Sequence, residues 1–251
     1  CTAYAQFPVA GGEVAYCYGY FGLRAAFVAG WILVLTFAIG CAFEAISVGW
    51  ILAEIAPALS GPVLYTVWGG EVHAGRLAIG LTLMLVIAVI SWLGVRATAR
   101  LQDLITWGLV AVTAVCIGAA LWYGDPANLE PLFADGSARA GAGLLSVLAM
   151  VPMFFLGFNV IPQAIGEKAE GVGTRQVAAA IVVALLAAML FYVLVILMTA
   201  IAVPRGQLLG QQLPAYTAIS AALGSTNAGK IVLIAGLLGV LSTWNAIFYA
   251  S

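Results

Sequence analysis

Charge is what this sequence has least of. Its 251 residues include 9 Lys plus Arg and 10 Asp plus Glu, so 8% are charged. Soluble domains average roughly 25%. So few charges do not cover a water-facing surface, which excludes a soluble globular enzyme. With 64% hydrophobic residues, a disordered chain is excluded too. The net charge of −1 offers no basic surface for nucleic acid or anionic lipid headgroups. Cysteine is also scarce. The four cysteines stand at positions 1, 17, 41 and 116, with no CxxC pair, and Cys41 and Cys116 lie inside apolar runs. Neither a zinc site nor a disulfide framework fits that pattern, and small apolar packing residues do. The one histidine, His73, sits in a polar connection beside Glu71. No GxSxG elbow accompanies it, so an intramembrane hydrolase has little to build on. The sequence opens on Cys1 with no basic n-region and cleavage site, and it closes on the apolar run Ile247-Phe248-Tyr249-Ala250-Ser251. Both ends look cut, which predicts a piece of a longer membrane protein, incomplete at either end.

Long apolar runs are what the sequence does have. A membrane-spanning helix needs roughly 20 predominantly apolar residues. Six stretches meet that rule, at about 25–55, 77–95, 104–122, 144–165, 177–203 and 231–251. They predict one all-α transmembrane domain over 1–251. The runs are too long for barrel strands and do not alternate in and out. Gly80, Gly94, Gly108 and Gly118 suggest close helix packing. The basic residues near the span ends divide five against four. Arg24, Arg96, Arg100, Lys168 and Arg175 fall on one side, and Arg76, Arg139, Arg205 and Lys230 on the other. That margin leaves orientation open by charge alone.

The fourth stretch is the one most suited to chemistry. It reads Met150-Val151-Pro152-Met153-Phe154-Phe155-Leu156-Gly157-Phe158-Asn159-Val160-Ile161-Pro162. A proline inside a helix removes a donor and clashes with the carbonyl four residues earlier. Pro152 thereby frees the carbonyl of Leu148, and Pro162 that of Phe158. Gly157 adds backbone freedom between them. Unpaired backbone at membrane depth is tolerated only where protein or a wet cavity satisfies it. The carbonyl-rich end of a broken helix accepts from an ammonium, and the N–H-rich end faces a carboxylate. The pair suits a zwitterion such as an amino acid, while an ordinary proline kink explains the same residues without a ligand.

Two further places hold polar groups at depth. Glu44 has Thr36, Gly40 and Ser47 at helical spacings, a stripe that should face the bundle interior, either as a proton or pathway site or as a hydrogen-bonding structural acid. Ser242-Thr243-Trp244-Asn245 offers hydroxyls and an amide that line a cavity, bind Na⁺ with carbonyl help, or act as interhelical glue.

These motifs together resemble the amino acid–polyamine–organocation (APC) permeases, which have the LeuT-type inverted-repeat fold. Phe7-Pro8-Val9-Ala10-Gly11-Gly12-Glu13-Val14-Ala15-Tyr16 resembles the family's Pro-Ala-Gly-Gly-x-Tyr link after helix two, with the tyrosine displaced by one or two places. Gly30-Trp31 then matches the opening of family helix three. Phe154-Phe155-Leu156-Gly157-Phe158-Asn159 resembles the broken centre of family helix six, which usually ends Gly-Phe-Asp. Glu167 falls on the second acid of the family's Glu-Glu pair, and Gly166 replaces the first. Ser242-Thr243-Trp244-Asn245 resembles family helix eight. The resemblance covers the whole chain, from the end of helix two to helix eight, and so implies a partial inverted-repeat bundle with one broken helix.

The resemblance implies a secondary active transporter of amino acids or related amines working by alternating access. Carbonyls of Met153, Phe154 and Leu156 would hold the substrate α-amino group, Phe155 and Phe158 would wall the site, and Gly157 and Asn159 would complete it. Glu44, Ser242 and Asn245 would serve the pathway or ion coupling. The resemblance implies neither a metal nor an organic cofactor, and leaves H⁺ and Na⁺ both open as coupling ions. Some proton-coupled members carry a lysine in family helix five, and Thr106-Trp107-Gly108-Leu109 here has none. The expected partners are an amino acid or amine substrate and the lipid bilayer, and the expected location is the cell membrane. The alternative is a sensor or scaffold that keeps the permease fold without transport.

Overall fold

In a bilayer every backbone polar group must be satisfied within its own segment, so uninterrupted apolar runs become helices. The computed structural model describes residues 11–67, 69–130, 140–154, 161, 171–211 and 213–250. A short helix, α1 (Gly12–Phe21), leads into the long α2 (Leu23–Ile55). Gly22 joins them at φ 82°, in the left-handed region where a side chain would be strained. At the other end Pro57 terminates α2, because the residue before a proline is pushed out of the helical region. Ala56 accordingly sits at φ −143°, ψ 85°. A 3₁₀ turn (Pro57–Ser60) and a two-stranded antiparallel hairpin follow, made of β1 (Val63–Val67) and β2 (Gly70–His73). Next come α3 (Ala74–Trp92) and α4 (Val95–Tyr123), then a 3₁₀ turn at Pro126–Leu129. The remaining helices are α5 (Ala140–Phe154), α6 (Thr174–Ala202), the one-turn α7 (Arg205–Leu208), α8 (Pro214–Ala222) and α9 (Thr226–Ala250).

Five of these helices are long and apolar enough to cross a membrane, by length and composition: Leu23–Ile55, Ala74–Trp92, Arg96–Tyr123, Arg175–Ala202 and Thr226–Phe248. Gly141–Val151 in α5 is apolar but shorter. The architecture is all-α, with the hairpin as an addition that a search for 20-residue runs passes over. The other departure is α4, which starts at Val95, well ahead of the run at 104–122. Arg96, Arg100 and Asp103 make its first turns look like a polar connection.

The chain divides into two compact units. The first comprises Cys1–Thr106, Gly157–Ala184 and Leu237–Ser251. Its core is Val48, Ile87 and Trp244, packed against Cys41, Ala45, Leu83, Leu237 and Phe248 among others. Helices α2 and α3 approach closely in it. A Cβ at Gly80 would lie 3.0 Å from the Ala45 carbonyl oxygen, and one at Gly49 3.0 Å from Arg76 Cβ. Gly80 thus performs the packing role expected of it. Gly94 instead makes the left-handed turn (φ 100°) between α3 and α4, and Gly118 has nothing within reach of a Cβ.

The second unit comprises Trp107–Leu156 and Leu185–Gly236. Cys116, Ala120, Met198, Ala202, Val203, Ala218 and Ile219 form its core. The turn after α4 seals the end of α6. The Asp125 backbone N–H and the Asn128 side-chain amide both donate to the Ile201 carbonyl, at 3.1 and 2.9 Å. In both units many outward side chains are large and apolar, Trp92 (90% exposed) and Trp122 (83%) at helix ends among them. That is the arrangement of lipid-facing helices with aromatic residues near the interfaces.

Candidate functional site

Within the first unit, a buried polar cluster joins the start of α4 to the end of α9. Residues three and four apart share a helix face. Thr98 and Gln102 therefore line one side of α4, and Ser242 and Asn245 one side of α9. The Gln102 amide donates to the Ser242 hydroxyl, and its carbonyl accepts from Asn245 Nδ2 at 3.0 Å. Asn245 Nδ2 also reaches the Thr98 backbone carbonyl at 3.5 Å. Asn245 is 1% exposed, and Thr98 is buried as well. Among the described residues, Asn245 Oδ1 accepts from nothing. A buried acceptor without a donor is a place for a water, an ammonium or a cation.

The structure thus brings Ser242 and Asn245 together, and it adds Thr98 and Gln102, which the sequence reading missed. The signal was present as a Thr and a Gln four apart on what proves to be one helix face. It was hidden because the charges around them placed both residues outside the apolar run.

Glu44 lies on another face of the same unit. Gly40, Glu44 and Val48 stand four apart on α2. A Cβ at Gly40 would meet Ile247 of α9 at 3.4 Å, and Val48 packs with Trp244. Glu44 falls between these contacts and is 8% exposed. The stripe expected beside it is only partly there. Thr36 is exposed, and Thr36 and Ser47 each return their hydroxyl to a carbonyl of their own helix, Ile32 O and Phe43 O. Gly40 remains on the Glu44 face. Among the described residues the Glu44 carboxyl makes no hydrogen bond. An ionised carboxylate in a membrane span costs at least roughly 2.5 kcal/mol against lipid, so this position calls for a proton, a cation or a donor.

The expected substrate stretch is described only in part. Met153 and Phe154 are the last residues of α5. Phe155, Leu156, Gly157, Phe158 and Asn159 lie outside the described residues. His73 takes a structural position at the end of β2. Its Nε2 lies 3.4 Å from Glu71, and its Nδ1 3.2 Å from the Gly61 carbonyl. Among the described residues no cluster of three or more His, Cys, Asp or Glu is arranged to hold a metal ion.

Five membrane-length helices among the described residues are those of a membrane protein, and residues 2–251 match the family of amino acid permeases. This chain belongs to that family. It is 26% identical over 259 residues to the branched-chain amino acid permease BcaP of Bacillus subtilis (strain 168), covering 98% of this chain and 54% of that protein. It is 25% identical over 261 residues to the methylthioribose transporter of the same organism, covering 98% and 53%. The chain spans about half the length of these curated relatives. As an APC-type permease-family protein it is a multi-pass integral membrane protein and not an enzyme.

Proposed function

We propose that this chain is part of a secondary transporter that moves amino acids or related solutes across the cell membrane by alternating access. The observation that supports the reading is the family match over residues 2–251, together with relatives named as an amino acid permease and a methylthioribose transporter. The substrate sits at the stretch of residues 144–165. Backbone carbonyls of Met153, Phe154 and Leu156 take the ammonium. Phe155 and Phe158 form the walls, Gly157 leaves room for the substrate against the backbone, and Asn159 adds an amide. The physical support is the pair of prolines around Gly157, which leaves helix hydrogen bonds unmade where a zwitterion can use them. The α4–α9 cluster and Glu44 serve coupling to H⁺ or Na⁺. Ser242 and Asn245 supply oxygen ligands or a proton relay, and Glu44 supplies a carboxylate that, among the described residues of the first unit, is the one both buried and inside a span.

The test is uptake and counterflow in vesicles by the full-length protein that contains this segment. The panel should include branched-chain and other amino acids, amines and methylthioribose, each under imposed pH and Na⁺ gradients. Flux of at least one solute is expected. Folded protein that binds a solute but never moves it would make the chain a sensor, and folded protein that does neither would leave only a scaffold. Gly157→Leu fills the backbone gap and is expected to abolish substrate binding while membrane insertion is kept. Unchanged affinity in that variant would reduce the proline pair to a kink.

A further inference from the structure

The hairpin between α2 and α3 stands apart from the transport reading, and its base is tightly fixed. The Ala74 N–H at the start of α3 donates to the Pro62 carbonyl at 2.9 Å, and Arg76 Nε donates to Ser60 Oγ at 3.2 Å. Gly75 runs so close to Leu59 that a Cβ there would overlap the Leu59 carbonyl oxygen. One strand end is therefore clamped to the first turn of a spanning helix, and the other begins eight residues after α2 stops. The base thus lies where two membrane-length helices meet the connection between them.

Beyond the base, β1 is uncovered along its whole length. Val63, Leu64, Tyr65 and Val67 are all about half exposed, between 46% and 53%. The register shifts between Val63 and Tyr65, leaving Leu64 at a bulge. Positions 56–73 hold one acid, Glu71, beside His73. A two-stranded hairpin alone is marginally stable in water, and four uncovered apolar side chains next to almost no charge make this one worse placed there than most.

We propose that the hairpin lies on the bilayer that α2 and α3 cross, with the β1 side chains set into the headgroup–acyl boundary. The tether decides the occupant, because the lipid surface is the apolar phase within reach of both clamped ends. The backbone limits the depth. A two-stranded hairpin has two open edges whose N–H and C=O groups hydrocarbon cannot satisfy. The strand therefore stops in the interface, at the roughly 5–10 Å depth typical of monotopic segments. Tyr65 suits that layer, with an apolar ring and a wet hydroxyl.

The experiment places a nitroxide at Leu64→Cys and, separately, at Val67→Cys. The host is the full-length protein with its native cysteines replaced, in phosphatidylcholine–phosphatidylglycerol vesicles. Both side chains are exposed, so the labels leave folding intact. Power saturation is read with oxygen and with a water-soluble nickel chelate. Severalfold more collision with oxygen than with the chelate at both positions is the expected result. Chelate collision equal to that of a label in water would overturn the proposal, since the hairpin would stand in solvent. Protection from both reagents would overturn it too, and would point to a protein partner or a second copy over β1.

Discussion

The two units bury different things on the same helices. In the first unit the opening turns of α4 and the closing turns of α9 meet through Thr98, Gln102, Ser242 and Asn245. In the second, later turns of α4 present Cys116 and Ala120 to an apolar cluster with Met198 and Ile219. Interhelical hydrogen bonds inside membranes average only about 0.6 kcal/mol in double-mutant cycles. Truncating a buried Ile or Met to Ala costs about 2–5 kcal/mol through lost contacts and the cavity left behind. The polar cluster is therefore a weak way to hold two helices, and apolar packing a strong one. The first unit keeps this weak contact beside an apolar core of its own, Val48, Ile87 and Trp244, and among the described residues it leaves the Asn245 Oδ1 acceptor unpaired, which is why the cluster is a candidate for more than packing.

The sharpest way to break that contrast is at the apolar core of the second unit. Ile219, 1% exposed, packs among Cys116, Met198 and Ala218. Ile219→Ala is expected to cost about 2–5 kcal/mol, seen as a large drop in the thermal midpoint of the detergent-solubilised protein. Substrate affinity of the protein that stays folded should not move. A changed affinity would show that this apolar core bears on the substrate site as well as on stability.

Gly124→Ala should act in the same direction with a smaller effect. The added Cβ would fall within contact of Ala120 O and 2.9 Å from Ile201 O, both backbone atoms that cannot swing away. Overpacking of this kind costs about 1–3 kcal/mol. The measurable result is a lowered thermal midpoint together with faster proteolysis at the 124–130 turn.

How much of this contrast the sequence displays depends on the range of the interaction. The five membrane-length helices are visible because each is an apolar run on its own, and α2 ends where Pro57 says it must. The hairpin escapes a span-length window although Val63-Leu64-Tyr65-Thr66-Val67, followed by Gly69-Gly70, carries a strand-and-turn composition. Ser242, Asn245 and Glu44 stand out as polar residues at depth. Gln102 does not, because Arg100 and Asp103 beside it suggest a connection. Its pairing with Asn245 spans 143 residues and is written in neither segment. The substrate stretch is the reverse case. Its warrant rests on local backbone chemistry at Pro152, Gly157 and Pro162, with residues 155–160 and 162–170 outside the described residues.

The cluster itself allows a finer separation of structure from function. Gln102→Leu takes a partner from half-buried Ser242 and leaves buried Asn245 with only the long contact to the Thr98 carbonyl, a loss of about 1–3 kcal/mol. Adding Asn245→Leu removes the other large polar group, and replacing both partners by apolar groups is often nearly neutral. The double variant is therefore expected to regain most of the lost thermal stability and none of the ion-driven uptake. Recovery of uptake along with stability would make the cluster mere glue between α4 and α9.

Glu44→Gln should change stability least. The side chain keeps its volume and, among the described residues, gives up no hydrogen bond, so the shift should stay below about 1 kcal/mol. Any larger consequence must then come through the proton or cation that a buried carboxylate takes and an amide does not. Solute exchange across vesicles with no imposed ion gradient should survive the substitution, because exchange needs only the substrate site to reorient. Accumulation against a gradient should fall, because under the proposed function its free energy comes from the ion. Comparing counterflow with gradient-driven uptake in the same vesicle preparation separates the two. Loss of both would move Glu44 from ion coupling into the substrate pathway. Loss of neither would leave it a packing residue between Gly40 and Val48, and would leave the α4–α9 cluster as the remaining candidate for coupling in the first unit.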